Sequence, residues 1–105
     1  MSTYEDAFAR AIQEKHLVRI GFAGADGEYR VRDCAPMDIG PQRRYADKTP
    51  RYHLWDYDSP DGPHTVSLLP EQVGELQVLE ATFDPGEFVT WPPNWHIPRD
   101  WGDWS

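Results

Sequence analysis

Cysteine is almost missing from this 105-residue chain: a lone Cys34 cannot form an internal disulfide, and no second cysteine exists for a zinc site of the cysteine-pair type. Long hydrophobic runs are missing too. No stretch approaches the roughly eighteen apolar residues of a membrane-spanning helix. The N-terminus shows no basic start followed by an apolar stretch, so no signal peptide is read and a cytoplasmic location is expected. Positive charge nearly vanishes after residue 51. Residues 52–105 carry one basic and ten acidic residues, a balance of −9, whereas residues 1–51 carry nine basic and eight acidic, a balance of +1. The net charge of −8 repels nucleic acid at long range. Paired histidines are also lacking. None of His16, His53, His64 and His96 stands at the i, i+3 or i+4 spacing that preorganises two ligands, so neither metal nor other cofactor is expected. Asp56, Asp58 and Asp61 are interrupted by Pro60 and Pro63, with no closing glutamate of a calcium loop, and read as turn chemistry.

What is present is turn formers and large rings: ten prolines, eight glycines and five tryptophans, in a chain whose 39% apolar content allows one small domain with one modest core. Tyr4, Ala7, Phe8, Ala11 and Ile12 line one face of a helix, with Ser2/Glu5 and Thr3/Asp6 fitting a capping box. The helix should end near Lys15 or His16, where Leu17–Phe22 switches to strand alternation with Val18, Ile20 and Phe22 on one side. An Asp26-Gly27 turn then makes a hairpin with Tyr29–Asp33, in which Tyr29 and Val31 lie opposite Arg30 and Arg32. Pro36 and Gly40-Pro41 require that this strand bend, or end by Ile39. A polar loop at 40–50 follows, holding Arg43, Arg44 and Lys48. Tyr52–Tyr57, as a strand, sends Tyr52 and Leu54 one way and His53, Trp55 and Tyr57 the other. After a dense turn, His64–Leu69 returns as its partner. Pro70–Gln72 fits one helical turn, and Glu75–Ala81 the last strand. One helix and about five strands in meander order predict a mainly β fold, a small partly open β-barrel.

Residues 82–105 have neither period. Phe83, Phe88, Trp91, Trp95, Trp101 and Trp104 alternate with prolines, so the segment is expected to wrap over the barrel or to dock on a partner. Burial as a lid is expected for Phe83, Phe88 and Trp91. Trp95, Trp101 and Trp104 are the candidate partner-binding anchors.

The segment Arg51-Tyr52-His53-Leu54-Trp55-Asp56-Tyr57-Asp58 resembles the strand that names the WYL domain family, a Trp-Tyr-Leu triplet followed after two residues by Tyr-Asp; here the triplet is Tyr-His-Leu. Flanking features keep the family's order: Ala11-Ile12, the hairpin at 24–30, Ala35-Pro36-Met37, Val66-Ser67-Leu68, Leu76–Leu79 and the turn Phe83-Asp84-Pro85. The resemblance implies an SH3-like or Sm-like barrel over residues 1–88, with 89–105 as tail. It further implies a regulatory role in bacterial transcription, sensing a small ligand or nucleic acid without catalysis. The chain departs from the family in lacking a helix-turn-helix, which suggests a standalone or accessory module. It also has Val66–Pro70 where the family carries anion-contacting arginines.

The residues themselves offer two competing readings. His53, Trp55 and Tyr57, joined by Arg51 and by Arg30 or Arg32, would form a stacking and charge-pairing surface for a small anionic or nucleotide-like ligand or an oligonucleotide. Arg43, Arg44 and Lys48 would offer weaker phosphate contacts. Alternatively, those rings are barrel core, and the protein is an accessory subunit that binds another protein through its acidic half and tryptophan tail. Cys34 or Ser67 beside His53 or His64 makes a nucleophilic set only on paper, and the chain is read as no enzyme.

Overall fold

The structure, a computed structural model, describes residues 3–42 and 47–105, with Thr3 described by its backbone alone. The amphipathic pattern produces helix α1, Thr3–Glu14, which buries Phe8, Ala11 and Ile12 completely. No glycine follows to end it. Lys15 instead takes the left-handed conformation (φ 58°), and its carbonyl accepts from Phe83 N at 3.0 Å, tying the helix end to the start of the tail. The capping residues read in the sequence, Ser2 and the Thr3 side chain, lie outside the described part. Among the described residues no helix is long and apolar enough to cross a membrane.

Five antiparallel strands follow: β1 His16–Ala23, β2 Tyr29–Pro41, β3 Pro50–Asp56, β4 His64–Leu68 and β5 Val73–Thr82. A single 3-10 turn, Pro70–Gln72, joins the last two. In the hairpin turn, Gly27 at φ 83° meets a backbone requirement that a side chain would strain, and Asp26 Oδ1 accepts from Glu28 N at 3.1 Å. The sheet order is β4-β3-β2-β1-β5. The first four strands form the expected meander, while β5 leaves it and returns to the free side of β1. The edges β4 and β5 do not pair, so this is a small, partly open β-barrel with an N-terminal helix, compatible with an SH3-like or Sm-like pattern.

Register assigns each strand residue to a side, because antiparallel partners share a face. The inner side carries Val18, Ile20 and Phe22, with Cys34, Leu54, Tyr52 and Leu68, all buried. Phe8 of α1 meets Tyr52 edge-on at 4.9 Å. Burial holds the Cys34 thiol far above its ordinary range, so it stays protonated and acts as a small apolar group. On the outer side, Tyr29 and Val31 are exposed near the hairpin, while Ala35, His53, Trp55 and Ser67 lie at the other end of the strands.

The β2 strand does not end by Ile39. It bends at a bulge, with Pro36 opposite Leu54 but Asp38 opposite His53, leaving Met37 as the extra residue. A proline without an N–H is tolerated in this central strand at that irregularity.

Candidate functional site

The tail is a strap held against the outer side of the sheet. Phe88 stacks on Trp55 (5.6 Å between centroids, 14° between planes) and receives the edge of Tyr57 at 6.5 Å. The ring contacts run on from Phe88 to Phe83, Trp101, Trp95 and Trp91. Trp101 is 2% exposed and donates its indole N–H to Ile12 O at 2.9 Å, a helix-end carbonyl that also accepts from Lys15 N at 3.4 Å.

The strap is locked by Asp38. Its Oδ2 accepts from His96 N at 2.8 Å, and its Oδ1 accepts from Ile97 N at 3.0 Å and from Arg99 Nη2 at 3.2 Å. Arg99 also donates to Met37 O, and its guanidinium lies 4.2 and 4.4 Å from the centroids of Trp95 and Trp101. Burial lowers Arg99 to about 10, against the pull of Asp38, which leaves it a cation at neutral pH. The His96 ring packs on Gly40 so closely that a Cβ there would sit 2.3 Å from it, a contact only glycine permits.

Between strap and sheet lies a cleft of about 410 Å3. Its walls are His53, Thr65 and Ser67 on the strand side and Trp91, Asn94 and Trp95 on the strap side. His53 is 9% exposed, and burial pushes its imidazole below the ordinary range, toward the neutral form. Its Nε2 lies 2.9 Å from Gly40 O, which can only accept, so Nε2 carries the proton. Nδ1 is then an acceptor, and Ser67, the cross-strand neighbour, donates its hydroxyl to it at 2.8 Å. The Ser67 oxygen therefore presents lone pairs, not a proton, to anything else. Trp91, at 39% exposure, is the accessible ring.

The structure divides the residues that the sequence grouped. His53 reaches the cleft, with Arg51 two positions earlier on the same face and 3.5 Å from Asp47. Trp55 and Tyr57 do not form a stacking surface, because Phe88 covers the first and abuts the second. Arg30 and Arg32 are on the inner side: Arg30 pairs with Asp26 at 2.7 Å, and Arg32 faces Asp56 at 3.6 Å. Lys48 is exposed, and Arg43 and Arg44 lie outside the described residues.

The tail anchors also need correction. Trp101 is core, not a surface anchor; Trp95 and Trp104 are half-buried, joined by an indole bond from Trp95 to Trp104 O at 2.8 Å. Of the three residues expected to be buried as a lid, Phe83 and Phe88 are buried and Trp91 is exposed. Sequence reasoning missed Asp38, Arg99 and the role of Ser67. The only local signal was a carboxylate set between Pro36 and Gly40, within the otherwise apolar stretch 34–39. Among the described residues no group of histidine, cysteine and carboxylate side chains is placed to hold a metal. Comparisons with known proteins add no relative: the chain matches no protein-family model, no curated protein and no solved structure.

Proposed function

We propose that the protein is a non-catalytic ligand-binding module of WYL type with a regulatory role, and that its outer cleft takes a planar heterocycle of the nucleobase kind. The observation that carries this reading is the pairing of the exposed Trp91 ring with a Ser67 oxygen whose own proton is committed to His53. A ring stacks on the first while an amino or imino edge donates to the second. Among the described residues no lysine or arginine lines the cleft, and the net charge is −8, so the base rather than a phosphate supplies the affinity.

Nuclear magnetic resonance titration with the four ribonucleosides and their monophosphates tests it. Shifts are expected at Thr65, Ser67, Trp91 and Asn94, with nucleosides binding at least as well as monophosphates. Trp91→Ala should weaken binding about tenfold, the lower part of the roughly 1–3 kcal/mol that one stacked base contributes. Absence of shifts at these residues overturns the site. Covalent labelling of Ser67 by a fluorophosphonate would replace binding by a hydrolytic reading, since Ser67 and His53 are within bonding reach.

A further inference from the structure

A second cleft, of about 400 Å3, opens on the inner side of the sheet where the β1–β2 and β3–β4 turns approach each other. It shares only Ser67 of the edge strand with the outer cleft, so what binds there does not depend on the reading above.

Arg32 is the group with unused capacity. Register places it opposite Ile20, and its side chain is 22% exposed. Its one charged contact among the described residues is Asp56 Oδ2, 3.6 Å from Nε, longer than a hydrogen bond. Its Nη groups make no hydrogen bond among the described residues. The other arginines of β1 and β2 are engaged, Arg30 with Asp26 at 2.7 Å and Arg19 with Asp33 at 2.8 Å. A half-buried guanidinium with uncommitted parallel donors matches a carboxylate, which it binds two-pronged.

The remaining walls decide what else the ligand carries. Arg30 and Arg32 are balanced by Asp56 and Asp61, so the lining has no excess positive charge to hold a dianion, and the whole chain at −8 opposes one. Asp61, exposed in the β3–β4 turn, makes no ion pair among the described residues and is the partner for a cation. Phe22, Val66 and Leu68 supply an apolar floor. We infer that this cleft binds a free α-amino acid with an apolar side chain: carboxylate on Arg32, ammonium at Asp61, side chain against Phe22, Val66 and Leu68.

Calorimetric titration of the full chain with leucine and phenylalanine tests this. The controls are their amides, which lack the carboxylate charge, their des-amino acids, which lack the ammonium, and inorganic phosphate. Saturable binding of at least one amino acid is expected, weakened about tenfold or more by loss of either charge, as for other charge-assisted hydrogen bonds. Arg32→Gln should abolish binding. Asp61→Asn, in an exposed turn where folding is not at stake, should weaken it severalfold, and Trp91→Ala should leave it unchanged. The inference is overturned by absence of saturable binding up to about 10 mM, by des-amino acids or phosphate binding as well as the amino acid, or by indifference to Asp61→Asn.

Discussion

At His53, two neighbours and one burial set a chemical state. Desolvation outweighs the favourable influence of the Gly40 carbonyl and Asp38, so the folded chain holds the imidazole below its ordinary value. As pH falls, the unfolded chain takes up this proton first. The stabilising contribution is therefore complete above about 6.5, declines as pH drops through that range, and levels off beneath the folded value. Urea unfolding between about pH 7.5 and 5 should show stability falling with acidification, and His53→Gln should flatten that slope. An identical slope in the variant would assign the effect to another group. The hydroxyl of Ser67 follows the same state, because protonating Nδ1 removes the acceptor that orients it.

Among the elements, the bulge in β2 has the largest consequence. Without the bulge, Met37 would stand opposite His53, and the register that pairs Pro36 with Leu54 would put Asp38 opposite Tyr52 on the inner side. With it, Asp38 stands opposite His53 on the outer side, where the strap meets it. Asp38→Asn leaves the Arg99 cation, whose side chain is 1% exposed, without its counter-charge, a loss of about 3–5 kcal/mol for a buried pair. Arg99 is the one basic residue after position 51, so trypsin can cut the strap only there. The wild-type chain should resist cleavage at Arg99 and the variant should be cut quickly; equal resistance would show that the strap is held by its rings alone. The elements themselves were legible: α1 through its apolar stripe, the first hairpin through Asp26-Gly27, the strands through alternation. Their relative facing was not. Whether Arg32 lies beside Trp55 or behind it depends on the parity of the β2–β3 register, which a loop and a bulge set and which no local period encodes. The same holds for Asp38 and Arg99, 61 positions apart in sequence.

For the molecule as a whole, the sequence suggested a barrel of residues 1–88 with a tail attached. The structure joins Val89 and Trp101 to the same buried cluster as Phe8, Ile20 and Leu54, within a radius of gyration of 12.9 Å, close to the roughly 13 Å of a 100-residue domain. Deleting residues 89–105 removes both side chains from that cluster and takes away the partners of Asp38 and of Ile12 O, while Phe88 stays on Trp55. Large-to-small changes at single buried aromatics already cost about 3–5 kcal/mol. The fragment should therefore lose its near-ultraviolet dichroism and bind a hydrophobic dye. A cooperative melt at the full-length temperature would show that residues 1–88 fold without the tail. The tail was legible as apolar and proline-bound but not as core, since it has no period and its partners, Ile12 O and Asp38, lie far back in the chain.

The run of rings from Trp91 through Trp95 to Trp101 has an optical corollary. With centroids 6.1 and 5.4 Å apart and planes inclined at 68°, these indoles are chromophores close enough to share an excited state. Light absorbed at the solvent-facing end is not confined there, so the emission of the trio, beside that of Trp55 and Trp104, reports on its spacing rather than on any single member.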